Sequence, residues 1–283
     1  MSPQKTSSTH APTVLICGAS GGLGIVLANH LTDQGMQVFG TMRDPSRAPK
    51  GLPFDMLPLD ATDDASIKAC FDEVISRTGR IDVVINCVNQ MILGSVEETS
   101  LEEVEALYNT NLFGAMRIAK HATAQMKTQA ASPHGRGTLV TMSSLGGLLA
   151  VPLLSTYTSC KFALEAFSEA LYHEMKPHDI NVVIMQPVAM RMERAENGTH
   201  IGVAANTPQA SPTRRMFARM EKETRTSNLT PQKVSEEIYA VLTAQKKPLR
   251  VPLDRAKGLS LIKRFAPQSI IDRLIKKAVP PLV

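Results

Sequence analysis

Seven short runs of apolar residues punctuate the chain at Thr13–Cys17, Met36–Thr41, Met56–Asp60, Ile81–Asn86, Gly137–Ser143, Ile180–Gln186 and Leu249–Val251. Between them lie stretches with apolar residues at helical spacing, such as Ile25 to Leu31. Nearly continuous apolar strands alternating with amphipathic helices predict an α/β fold, a doubly wound seven-stranded parallel sheet with helices on both faces and right-handed crossovers. Thr128 to Gly135, with Ser132, Pro133 and Gly135, reads as a surface loop. Residues 189–228 form the longest stretch without a strand signal, and loops of that length usually carry function.

The first strand runs directly into glycines, Gly18-Ala19-Ser20-Gly21-Gly22-Leu23-Gly24, and then into a helix. Gly18 permits the tight turn, Gly22 lets backbone amides approach a pyrophosphate, and Gly24 allows close helix packing, while the helix N-terminus presents unpaired N–H groups to phosphate. Taken alone, this G-x3-G-x-G spacing serves equally as a structural turn.

Tyr157 and Lys161 stand four residues apart, on one face of a predicted helix, so an ammonium can sit beside a phenol and favour its ionised form. Ser144 precedes Tyr157 by thirteen residues and can offer a hydroxyl to the same reacting oxygen; that offset favours it over its neighbour Ser143. A lone Tyr-x3-Lys pair is also what a surface helix with a snorkelling lysine would show.

Glycine turn, Asn111 in Asn111-Leu112-Phe113-Gly114, Ser144 and Tyr157-x3-Lys161, in this order, resemble the short-chain dehydrogenase/reductase family over about residues 13 to 252. Gly40-Thr41-Met42-Arg43-Asp44 and Ser159-Cys160-Lys161-Phe162-Ala163-Leu164-Glu165 are similar to its hydroxysteroid and retinol dehydrogenase branch. The resemblance implies one Rossmann-type domain over 13–252, with a helical substrate lid at 189–228 that includes Met216 to Thr224. A polar, disordered tail would precede it at 1–12 and a basic amphipathic segment follow at 253–283. In the implied chemistry Tyr157 is the acid/base and Lys161 lowers its pKa and binds the nicotinamide ribose. Ser144 hydrogen-bonds the substrate oxygen, and Asn111 holds a water of the proton relay.

The cofactor would be held by Gly18, Ser20, Gly22, Leu23, Gly24, Arg43, Asp60, Ala61, Asn86, Tyr157, Lys161, Pro187 and Val188. Arg43 and Ser20 offer a cation and a hydroxyl to a 2′-phosphate, which favours NADP(H); Asp44 beside them keeps NAD(H) open, and Arg43 is equally an ordinary strand-end arginine. Substrate would meet Met91, Leu93, Leu145, Leu154, Met190, Met192, Met216, Phe217 and Met220, with Ile92, Leu149 and Leu153 nearby. This apolar, methionine-rich set suits a steroid, retinoid, polyketide or long-chain lipid ketone. Arg191, Arg194, Arg214 and Arg215 leave room for an acidic group on the ligand.

The chain departs from the family pattern at two places. Asn86-Cys87-Val88-Asn89 stands where Asn-Asn-Ala-Gly is usual; Asn89 is able to adopt positive φ, and Val88 adds bulk on the adenosine side. Pro187-Val188-Ala189-Met190-Arg191-Met192 replaces Pro-Gly-x-Val-x-Thr, so that Val188 crowds the nicotinamide region and Met192 lacks a hydroxyl. Two functions follow: an NADPH-dependent ketone or aldehyde reductase, or a non-redox member of the fold acting as an isomerase, dehydratase, cyclase or ligand-binding protein.

Composition adds little except at the C-terminus. With 283 residues and 43% hydrophobic content the chain suits one large domain, and no run approaches the roughly 20 apolar residues of a membrane span. The four cysteines, Cys17, Cys70, Cys87 and Cys160, show neither paired nor metal-binding spacing and read as free thiols, with no metal expected. A cytoplasmic homodimer or homotetramer is the expectation, and the sequons at Asn197 and Asn228 read as chance matches. Net charge is +5, but residues 245–283 hold ten Lys/Arg against Asp254 and Asp272. Without interleaved aromatics this does not suggest nucleic-acid binding. Leu259 to Val279 alternates apolar and basic residues, which suits peripheral contact with a membrane surface; a helix closing the pocket or packing on another subunit fits the same pattern.

Overall fold

The computed structural model describes residues 11–132, 135–191, 200–279 and 281–282. The first half contains β1 (Thr13–Cys17), α1 (Gly22–Asp33), β2 (Gln37–Met42), β3 (Asp55–Pro58), α2 (Asp64–Thr78), β4 (Val83–Asn86), β5 (Gln90–Leu93), α3 (Leu101–Tyr108), a π-turn over Asn109–Phe113, and α4 (Gly114–Thr128). The second half contains β6 (Gly137–Met142), α5 (Ser155–Met175), β7 (Ile180–Gln186), β8 (His200–Val203), α6 (Pro212–Thr226), α7 (Pro231–Thr243), β9 (Arg250–Pro252), α8 (Ala256–Phe265) and α9 (Gln268–Ala278).

Seven strands form one parallel sheet in the order β3-β2-β1-β4-β6-β7-β9. Alternate residues of each central strand face opposite layers. Val14, Ile16, Val83, Ile85, Val140, Met142, Val183 and Met185 meet α1 and α7 through Leu27, Leu31, Val234 and Ile238. Leu15, Val84, Leu139 and Val182 meet α2 and α4 through Phe71, Val74, Ile118 and Met126. Both faces are therefore dry, which is why these strands read as unbroken apolar runs.

Helix starts follow from local chemistry. Asp63 accepts the Ala65 N–H ahead of α2, and Ser100 and Glu103 form a reciprocal capping box on α3. Ser211-Pro212 and Thr230-Pro231 each combine an N-cap with proline in the first turn, opening α6 and α7. The C-terminal residues of all the central strands point toward one edge of the sheet, where the loops carrying Gly18, Asn86, Ser144 and Pro187 gather.

Two expectations need correction. Residues 189–228 are not strand-free: β8 pairs in parallel with β5, with Gln90 opposite His200 and Leu93 opposite Val203, making a separate two-stranded sheet. Thr128 to Gly135 is not simply surface loop either. Thr128 ends α4, and Gln129 is buried, accepting from the Ile81 N–H (2.7 Å) and donating to the carbonyls of Ile81 (3.0 Å) and Arg136 (2.9 Å). Among the described residues no helix is long and apolar enough to cross a membrane, and no cluster of three or more His, Cys, Asp or Glu could hold a metal ion. The four cysteines are free.

Candidate active site

Tyr157 lies in the first turn of α5 and Lys161 one turn later; they are 4% and 1% exposed. The Lys161 Nζ sits 5.7 Å from the Tyr157 ring centroid and donates to the carbonyl of Met142, the last residue of β6 (3.0 Å). Ser144 leaves β6 in extended conformation, accepts the Gly146 N–H at its Oγ (3.1 Å), and hydrogen-bonds the Tyr157 phenol. Asn89 lies near enough to lower that phenol's pKa as well, while its own buried Oδ1 has no hydrogen-bond partner among the described residues. The three predicted groups thus converge, and Asn89 joins them. Its involvement was missed; the only signal was an amide side chain at a position where the family carries glycine.

The electrostatics differ from expectation. Burial pushes the Tyr157 phenol up to about 12, against the lowering effect of Ser144 and Asn89. Burial pulls the Lys161 ammonium down to about 8, with Cys160 and Glu165 opposing. Burial is the largest influence on both groups, and it favours a protonated phenol. A neutral phenol beside an ammonium is a proton-donor arrangement.

Asn111 is 1% exposed in the π-turn, but its side chain is committed to a strand end: Oδ1 accepts from the Gln90 N–H and Nδ2 donates to the Gln90 carbonyl, both at 2.7 Å. Its side chain thereby anchors the start of β5.

The glycine turn is built by close packing. Gly18 has φ +87°, and a Cβ there would meet the Val88 nitrogen at 2.9 Å; a Cβ on Gly24 would meet the Ala19 Cα at 2.5 Å. Asn86 Oδ1 turns the next loop by accepting the Val88 N–H (3.1 Å), and the Cys87 N–H reaches the Cys17 carbonyl (2.8 Å). Asn89 is not in the left-handed region, because the chain passes directly into β5. Val88 packs on the core around Leu15 and Cys17, so its bulk is absorbed there. Val188 is likewise buried, in the core beneath α1 and α7.

These loops suit a dinucleotide. The Gly21 N-cap of α1 has no side-chain partner for the first-turn N–H groups beyond it, where Gly22 and Leu23 lie, and Ser20 beside it is exposed. Arg43, exposed just past β2, forms no hydrogen bond or ion pair among the described residues. Asp44 is occupied, its Oδ1 accepting from Ser46 Oγ (2.6 Å) and the Ser46 N–H (3.1 Å). Asp60 accepts from the Thr62 N–H (2.8 Å) and Oγ1 (2.7 Å), which holds its carboxyl below the usual range; buried Ala61 follows it. The Pro187 carbonyl accepts the Leu145 N–H (2.8 Å).

Among the expected substrate residues, Met91, Leu93, Leu154, Met216, Phe217 and Met220 share one apolar cluster with Tyr157, together with Leu153, Ile275 and Val279. Leu145 and Met190 instead pack on the core beneath α1 and α7, and Ile92 on the cluster around Leu107 and Leu164. Met192, Arg194 and Asn197 fall outside the described residues. Arg214 and Arg215 are oriented by backbone carbonyls and form no ion pair among the described residues. Arg214 donates to the carbonyls of Thr207 (3.1 Å) and Pro208 (3.3 Å), and Arg215 to those of Ala210 (3.2 Å) and Pro281 (2.9 Å).

The sequence profile of the short chain dehydrogenase family matches residues 12–200. The chain belongs to that family. Among its relatives in the short chain dehydrogenase family, the 3-ketodihydrosphingosine reductase of Bacteroides thetaiotaomicron is 33% identical over 238 residues, covering 84% of this chain and 86% of the relative. An uncharacterized oxidoreductase of Schizosaccharomyces pombe is 30% identical over 258 residues, 89% of this chain and 85% of its own. A short-chain dehydrogenase from Streptomyces avermitilis superposes with a TM-score of 0.80 at 27% identity, covering 95% of this chain and 98% of that structure. The likeness spans almost the whole chain and makes it an oxidoreductase by family, with the seven-stranded doubly wound sheet common to that fold.

Proposed function

We propose that the protein is an NADP(H)-dependent reductase of a long-chain or otherwise bulky apolar ketone, working reversibly on the alcohol. The observation that carries this reading is the position of the buried Tyr157 phenol within a cluster of Met91, Leu93, Leu154, Met216, Phe217 and Met220. A polar substrate would lose its hydration there without replacement partners, whereas an acyl chain gains about 25 cal/mol for each Å² of apolar surface buried. The 3-ketodihydrosphingosine reductase relative, named for a long-chain ketone, supports the same class.

When bound, the nicotinamide supplies hydride to the carbonyl carbon. Tyr157, neutral because burial holds its proton, gives that proton to the carbonyl oxygen, and Ser144 hydrogen-bonds the oxygen as charge develops. Lys161 keeps a positive charge beside the phenol as it ionises. Arg43 would pair with a 2′-phosphate, and the engagement of Asp44 with Ser46 removes one acidic competitor, which supports NADP(H) over NAD(H). Fluorescence titration with both cofactors should give tighter NADPH binding, lost in Arg43→Ala. An absorbance assay with long-chain 3-keto compounds and small polar ketones should favour the former. Equal affinity for the two cofactors would remove the NADP(H) assignment, and a preference for compact polar ketones would remove the substrate class.

A further inference from the structure

The last two helices carry apolar residues left exposed by the rest of the described chain. In α8, Leu261 is 60% and Phe265 74% exposed, and Ile262 lies beside them. In α9, Ile270 and Leu274, one turn apart, face outward, while Ile271 is buried and Ile275 and Val279 reach the cluster around Tyr157. The outward face is bordered by Lys263, Arg264, Arg273, Lys276 and Lys277, all exposed and none ion-paired among the described residues; Asp272 is the only acidic side chain in these two helices. By contrast Arg255 and Lys257, nearer the sheet, pair with Glu223 (2.9 Å) and Glu237 (3.7 Å).

We propose that α8 and α9 dock the protein on an anionic lipid bilayer. An exposed apolar stripe flanked by unpaired cations matches a surface that offers acyl chains below and negative headgroups above. A second copy of the chain fits less well, because pairing the same face with itself would set one group of cations against another. The docking face also backs onto the site. A groove of about 360 Å³ runs beside α9, lined by Pro152, Ile275, Lys276, Val279, Pro281 and Leu282. Arg219 and Arg215 of α6 fasten α9 and the chain beyond it through the carbonyls of Lys277 (3.1 Å) and Pro281 (2.9 Å). Two of its lining residues, Ile275 and Val279, belong to the apolar cluster that contains Tyr157, so the groove adjoins the site on the side that faces the bilayer.

The test uses the full chain and needs no turnover. In flotation with vesicles, the protein should bind phosphatidylcholine–phosphatidylserine mixtures at least tenfold more tightly than phosphatidylcholine alone, and added salt should release it. Leu261→Glu with Phe265→Glu should abolish binding. Lys263→Gln with Arg264→Gln, which spares the apolar residues, should weaken it on the order of fivefold per charge removed. Circular dichroism and the urea unfolding midpoint should be unchanged in both. Failure to float, equal binding to neutral and anionic vesicles, or a dimer in sedimentation velocity that the Leu261→Glu/Phe265→Glu variant dissolves would overturn the proposal. Vesicle binding without reduction of any ketone would instead count against the proposed function and leave the docking face standing.

Discussion

Replacing Lys161 with methionine should expose the cost of burying its ammonium. The side chain is 1% exposed, and burial lowers its pKa from 10.5 to about 8. Below about pH 8 folded and unfolded chains both carry the proton and the fold bears a penalty of about 3 kcal/mol; above 10.5 neither does and the penalty vanishes. Across that window the unfolded chain binds more protons, so the contribution of this group to stability rises with pH. From about pH 7 to about pH 9.5 the rise amounts to about 2 kcal/mol. Buried thiols act in the opposite sense, because burial raises Cys17, Cys70, Cys87 and Cys160 and the unfolded chain releases their protons first. Both proteins share them, so the quantity to follow is wild-type stability minus Lys161→Met stability, from urea unfolding at a series of pH values. Tyr157, held at about 12, adds nothing below about pH 10. Losing the bond to the Met142 carbonyl lowers the variant by a roughly constant 1–2 kcal/mol, which shifts the difference without changing its slope. The difference should move by about 2 kcal/mol toward the wild type as pH rises, and one flat to within about 0.5 kcal/mol would refute the buried ammonium.

Tyr157→Phe should leave NADPH affinity within about twofold and remove turnover by at least about a thousandfold, since it deletes the proton donor and keeps the ring in its cluster; single-turnover absorbance measures the loss, and substantial residual rate would point to another donor. Gln129→Ala should cost about 3 kcal/mol in urea unfolding with an unchanged denaturant slope, because it strips partners from the backbone of Ile81 and Arg136; a loss below about 1 kcal/mol would mean that water replaces the amide.

The seven strands of the main sheet were legible because both of their faces are buried, which leaves an apolar run independent of what packs against it. β5 and β8 were not. Each is four residues long, half of its interest lies in a partner more than a hundred residues away, and Gln90 and Gly202 break the apolar signal. Ser144, Tyr157 and Lys161 were legible because their spacing along one strand end and one helix fixes their meeting. The sign of the Tyr157 shift was not, since it depends on how much water the folded site excludes, and sequence carries no direct record of that. The same holds for Asn111, whose amide is claimed by Gln90 once β5 exists, and for Leu145 and Met190, which the turns after β6 and β7 direct into the α1–α7 layer.

The π-turn at Asn109–Phe113 has a consequence for how this chain can change. Tyr108 before it and Gly114 after it are both right-handed helical, so α3 and α4 form a single continuous rod with one extra residue wound into its middle. A π-turn is the footprint of a one-residue insertion absorbed without moving the ends. Removing one residue between 109 and 113 would return the rod to regular α winding with both ends in register, so what is lost is local: the wide turn that carries Asn111 to Gln90. Ile118, Ala122 and Met126 would keep their seats on the sheet. The extra residue therefore serves the loop beside the rod and not the rod itself: its loss would be felt at β5, through Asn111, before it was felt in the helical layer.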